Sequence, residues 1–135
     1  VRDTLKPNQW LFLLFVGLAG WVIPGAGHLV IKEKKRAAII FVTIIATFVI
    51  GIYVGSIGVV NPKIAKGWYF AQMMNSPIVA ILADVTSRGG YRTYAWPNEI
   101  GQIYTSTAGL LNLLCIVNAV YMAFLVKIKK EGVQN

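Results

Sequence analysis

Acidic residues, histidine and cysteine are scarce in this chain: five Asp and Glu, one His and one Cys among 135 residues. So few groups exclude most catalytic constellations, and no Ser/His/Asp, Cys/His, phosphate-loop or dinucleotide pattern occurs. A lone cysteine, Cys115, can form no internal disulfide and sits in an apolar run, which favours an inert buried thiol. A single histidine without a spaced partner offers no metal site. Charge is also low, at 13% of residues. No internal repeat or low-complexity tract is visible.

Apolar residues are what the chain has instead. They make up 56% of it, with a mean hydropathy of +0.62, well beyond an ordinary soluble domain. A spanning helix needs roughly 20 apolar residues, so the length allows three or four spans and leaves no room for a catalytic domain beside them. The expected fold is an all-α integral membrane protein, a single membrane domain with multi-pass topology.

The net charge of +8 does not point to nucleic acid, because the basic residues stand at the ends of apolar stretches and form no continuous face. Lys32, Lys34, Lys35 and Arg36 make one cluster and Lys127, Lys129 and Lys130 another. Both are expected to contact anionic lipid headgroups from the cytoplasmic side.

Three spans are expected, over about 9–31, 37–60 and 100–126. The first opens after Pro7-Asn8, lacks a small-residue cleavage site in the usual place, continues into Trp21-Val22-Ile23-Pro24-Gly25, and is read as a retained helix. Trp10 and Trp21 bracket its most apolar part, and Pro24, Gly25 and Gly27 should bend or end it. In the second, Gly51 and Gly55 have the spacing that lets helices approach closely, on a ridge with Thr43 and Thr47. Asn61-Pro62-Lys63 ends it. The segment over about 67–83 carries Gln72, Asn75, Ser76 and Pro77 in its middle, so an interfacial or re-entrant helix is expected, with a fourth span as the alternative. The polar stretch from Asp84 to Glu99 follows, and Trp68, Tyr91, Tyr94 and Trp96 are expected at headgroup depth.

Counting Lys and Arg tests orientation. Three spans, or four with a cytoplasmic N-terminus, both give seven against six; a first run that turns back at Pro24 gives nine against four. Three spans with the N-terminus outside place the densest cluster inside beside the first helix, and this reading is preferred. All three readings put the C-terminus in the cytoplasm.

The last span holds the richest polar pattern. At about 100° per residue, Gln102, Thr105, Gly109 and Asn112 share one stripe, which must face protein. Asn112 lies mid-span, where a bare amide is costly, so it is expected to hydrogen-bond a neighbouring helix; lining a solute or ion site is the alternative. Asn118 points away from the stripe and needs a second partner. His28 is the one cofactor candidate, as an axial haem ligand or headgroup contact, against a structural role at the interface.

Trp21-Val22-Ile23-Pro24-Gly25-Ala26-Gly27-His28 resembles the W-x-x-P-G-x-G-H opening of small bacterial membrane-protein families with paired helices. Together with Tyr104-Thr105-Ser106-Thr107-Ala108-Gly109-Leu110-Leu111-Asn112, it is similar to an uncharacterised bacterial family whose last helix carries Y-T-x-x-A-G-L-L-N. The glycine such families place before the basic turn is replaced by Ile31 or Lys32, so a turn of different shape is expected. The resemblance implies a small multi-span protein of the bacterial inner membrane and no particular activity.

These features point to a non-catalytic accessory or structural subunit of a larger membrane complex, such as an electron-transfer assembly, partnered by other integral membrane subunits and lipids. No cofactor other than bound lipid is expected. The alternative is a small oligomeric transporter or channel component with Asn112 and the Asn75-Ser76-Pro77 break along its path. A lipid-directed enzyme, resting on His28 and Asp84, ranks last.

Overall fold

In the computed structural model, residues 7–63, 66–90 and 95–132 are described; Tyr91 and Tyr94, expected at headgroup depth, lie outside them. No strand occurs among the described residues. The elements are α1 (Pro7–Val22), α2 (Ala26–Val30), α3 (Lys34–Gly55), a 3-10 turn (Ile57–Val59), α4 (Lys66–Met73), α5 (Ile78–Gly89) and α6 (Ala95–Gly132).

Helices α3 and α6 form an antiparallel pair that runs the length of the molecule. Arg36, near the start of α3, reaches Met122 late in α6, while Gly51 and Gly55 lie against Thr105, Gly101 and Pro97 near its start. The crossing is close because small residues face each other: a Cβ on Gly101 would meet the Gly51 carbonyl oxygen and the Gly55 Cα, each at 2.8 Å. Thr43 stays exposed although it shares the four-residue spacing with Gly51. Each step of four drifts about 40° around a helix, so the ridge leaves the contact after two steps.

The first apolar run does not form one helix over 9–31. It breaks at Ile23-Pro24-Gly25, and α2 folds back along α1 until Gly27 lies opposite Val16 and Gly20. Gly25 makes the reversal possible with φ +84, and a Cβ there would fall 2.6 Å from the Ala37 carbonyl oxygen. The start of α1 therefore lies at the same end of the molecule as the basic cluster. Lys127 Nζ lies 4.8 Å over the Phe12 ring, and Leu13, Val16, Ala119 and Ala123 form a core flanked by Val30 and Ile31. The physical reason is the Pro24-Gly25 turn combined with small residues on both returning helices.

Helix α2 ends in a paired-carbonyl cap, with Lys32 N–H donating to Leu29 O and Glu33 N–H to His28 O, both at 2.9 Å. This cap needs a left-handed residue at the position after the helix cap, normally glycine; Lys32 occupies it at φ 68. The turn thus keeps the glycine shape without the glycine. Since a left-handed L-residue costs about 1–2 kcal/mol, Lys32→Gly should raise stability by about 1 kcal/mol, read as a higher thermal unfolding midpoint in detergent.

The second polar-interrupted segment also reverses. Helix α4 descends beside α6, with Trp68 near Ser106 and Asn75 near Asn112. After Asn75-Ser76-Pro77, α5 returns towards the turn that follows α3, where Thr86 Oγ1 donates to Ile57 O at 3.1 Å. Val60, Val79 and Ala83 pack together there, flanked by Phe48, Ile52 and Tyr69.

Among the described residues two helices, over 34–55 and 97–130, are long and apolar enough to cross a membrane, and only 17% and 22% of their most apolar windows are buried. A helix at the core of a soluble protein would be mostly enclosed; these expose Ile39, Val42, Tyr53, Leu114 and Val117 at 60% or more. The chain is a membrane-associated helical protein.

Candidate functional site

The two hairpin tips meet halfway along α6. Helices α1 and α4 both end there, and the last carbonyls of a helix have no partner within it. Where water is excluded, each bare carbonyl is costly. Side chains supply the donors. Trp21 Nε1 donates to Met73 O at 3.0 Å and Ser76 Oγ to Val22 O at 2.9 Å, so each tip caps the other. Asn112 Nδ2 faces Asn75 O at 2.8 Å, Met74 O at 3.0 Å and Gly20 O at 3.3 Å. One amide on α6 thereby joins both hairpins.

A second polar contact lies about two turns away along α6. Gln72 Nε2 donates to Thr105 Oγ1 at 2.7 Å and to Val59 O at 3.3 Å, and Thr105 Oγ1 donates to Gly101 O at 2.8 Å within its own helix. Gln72, Thr105 and Asn112 are each wholly buried. The side-chain oxygens of Gln72, Asn75 and Asn112 have no hydrogen-bond partner among the described residues. The centre is therefore rich in acceptors and short of donors, which makes the Asn112 amide hard to replace.

The structure brings Gln102, Thr105, Gly109 and Asn112 onto the buried side of α6. Gly109 lies against the backbone of Ala71 and Asn75, and Gly51 and Gly55 against the start of α6. Asn118 is exposed. Lys32, Lys34, Lys35 and Arg36 are exposed together at the end shared with Lys127, and Arg36 contacts Glu33 at 3.8 Å and Met122 Sδ at 3.2 Å. His28 is 2% exposed and borders a crevice too narrow for a water molecule, which it shares with Asn112, Cys115 and Ala119. No group of three His, Cys, Asp or Glu side chains able to hold a metal occurs among the described residues.

Sequence reasoning missed four participants. Trp21 was read as bracketing a span, but its indole reaches α4. Ser76 and Gln72 stood out only as polar interruptions. Gly101 had a legible signal, since Gly101, Thr105 and Gly109 repeat every four residues as small side chains on one ridge. A larger cavity, of about 400 Å³, opens between the first tip, α3 and α5, lined by Ile23, Pro24, Phe41, Ile45, Phe48 and Leu82 among others.

Comparison with known proteins gives little beyond the family. The chain is similar to somatostatin receptor type 5 of Bos taurus, at 30% identity over 85 residues, and of Mus musculus and Rattus norvegicus at 28%. Each match covers 55% of this chain and 23% of the receptor, so the chain spans under a quarter of the curated relatives it matches. No solved structure matches. The family of unknown function DUF6677 matches residues 15–132, most of the sequence, and this chain belongs to that family.

Proposed function

We propose that this protein is a non-catalytic accessory subunit of a larger complex in the bacterial inner membrane, built from two full spans and two half-membrane hairpins that enter from opposite sides. Helices α3 and α6 cross; α1–α2 enters and leaves at the basic end, and α4–α5 at the other. This arrangement assigns nine Lys and Arg of the whole sequence to the cytoplasmic side against four outside, the strongest bias of the topologies considered. Both termini are then cytoplasmic.

The observation that supports a structural role is the use of the central polar groups. Trp21, Ser76 and Asn112 donate inward to the carbonyls that end the half-helices, so the polar chemistry at mid-membrane closes the fold. The outward faces of α3 and α6 are apolar and suit contact with lipid or neighbouring subunits. A transporter or channel component is the second reading, favoured by two broken hairpins whose tips meet at mid-depth, as in carriers built on discontinuous helices.

Native mass measurement after purification in mild detergent separates the two. The accessory reading expects stable foreign membrane subunits that co-purify with the chain. A homo-oligomer that mediates solute flux in reconstituted vesicles would overturn it in favour of transport.

A further inference from the structure

We infer that the cavity beside α3 is a binding site for one anionic phospholipid, whose headgroup phosphate is held by Lys34 and Lys35 and one of whose acyl chains fills the cavity. Phe41, Ile45 and Phe48 line one wall, and their spacing of four and three residues sets them on one face of α3. Lys34 stands seven residues before Phe41, two turns back on that same face and about 10 Å away along the axis. A cationic group thus heads an apolar track that leads into the cavity.

Chemistry narrows the occupant. The volume of about 400 Å³ would take roughly a dozen waters at about 30 Å³ each, but water needs two to four polar partners per molecule. The walls are Val22, Ile23, Phe41, Ile45, Phe48 and Leu82, with Asn75 and Ser76 at the inner limit. Ser76 Oγ already donates to Val22 O, and Asn75 is 3% exposed. Hydrocarbon fits these walls. The cavity is also open sideways, since Val22 is 49%, Ile23 51%, Phe41 43% and Ile78 62% exposed, so a chain can enter from the bilayer. At the basic end, Arg36 is engaged by Glu33 and Met122, while no ion pair involves Lys34 or Lys35 among the described residues. Lys34, at the head of the track, is placed to take a phosphate, and Lys35, the next residue along the helix, adds positive charge beside it.

This site rests on the membrane topology proposed above but not on the accessory role, because the full chain in detergent suffices to test it. The chain is equilibrated with mixed micelles of phosphatidylglycerol and phosphatidylcholine in equal amounts, and retained lipid is counted by native mass spectrometry. One phosphatidylglycerol per chain is expected, in preference to phosphatidylcholine. Lys34→Gln combined with Lys35→Gln should reduce that preference by about 25-fold, at roughly a factor of five per basic group, with acyl-chain retention preserved. Ile45→Trp, which fills the cavity, should abolish retention of both lipids at an unchanged unfolding midpoint. Leu82→Trp fills it from the opposite wall and serves if the first variant misfolds. Unchanged retention in the filled variant, or equal retention of the two lipids by the unmutated chain, would overturn the proposal. Lipid retention by a chain that brings no foreign subunits would leave the site standing while the accessory role falls.

Discussion

Gly109→Val should deprive the chain of most of its folded population. A Cβ at this position would fall against the Ala71 carbonyl, 3.0 Å from its carbon, and 3.3 Å from the Asn75 nitrogen. These obstacles are backbone, so no rotamer change relieves them, and α4 has to move off α6. That motion would also separate Gln72 from Thr105 and the second tip from Asn112. Overpacking alone costs about 1–3 kcal/mol, and the lost hydrogen bonds add to it, against a total stability of about 5–15 kcal/mol. A sharply reduced yield of monodisperse protein, or an unfolding midpoint lowered by many degrees, is the expected reading. Gly67→Ala is the control: nothing lies within 4 Å of the added carbon, and it should behave as the unmutated chain.

Asn112→Leu has the second-largest expected effect. Leucine fills a similar space but donates nothing, which leaves the carbonyls of Asn75, Met74 and Gly20 without that donor. The amide has two hydrogens, so about two bonds are lost in practice, and each bare buried carbonyl costs about 1–3 kcal/mol. A loss of about 2–6 kcal/mol follows, greater than for a single interhelical bond in a membrane. Because the tips also cap each other through Trp21 and Ser76, the fold should survive at low temperature with looser hairpins. Hydrogen exchange at residues 20–27 and 73–78 should rise well above that of the α3–α6 pair. Exchange that stays uniform would show that Asn112 does not join the tips.

The long helices were legible because lipid-facing helices announce themselves by composition: the runs expected over about 37–60 and 100–126 correspond to α3 and α6, although α3 ends at Gly55, before Asn61-Pro62-Lys63, where Ser56 turns at φ 64. Asn112 was legible too, since an amide in the middle of an apolar run must find a partner. Its partners were not. Whether the chain bends, ends or reverses at Pro24 depends on how closely α2 can approach α1 and α6, through Gly20, Gly27 and Ala119. Local propensity records only that a helix cannot continue there. The same limit applied to Gln72-Met73-Met74-Asn75-Ser76-Pro77, whose polarity marked a break but whose direction is set by contacts with Thr105 and Asn112 far along the chain. Trp21 was read only as bracketing the most apolar part of the first run, because the sequence shows its apolar body but not the distant carbonyl of Met73 that its N–H reaches. The left-handed Lys32 was hidden for the opposite reason: the cap imposes a backbone shape that the residue itself disfavours.

Opposed half-membrane hairpins make a definite statement about sides, which single cysteines can test. In a Cys115→Ala background, Asn8→Cys, Lys35→Cys and Arg88→Cys place exposed thiols at the start of α1, the start of α3 and the end of α5. Arg88 gives up only an exposed ion pair with Asp84, which is worth little. With an impermeant maleimide on intact cells, Arg88→Cys should be labelled, while Asn8→Cys and Lys35→Cys should react only after permeabilisation. Labelling of Asn8→Cys in intact cells while Lys35→Cys stays protected would mean that the first run crosses the membrane, and would contradict the opposed-hairpin architecture.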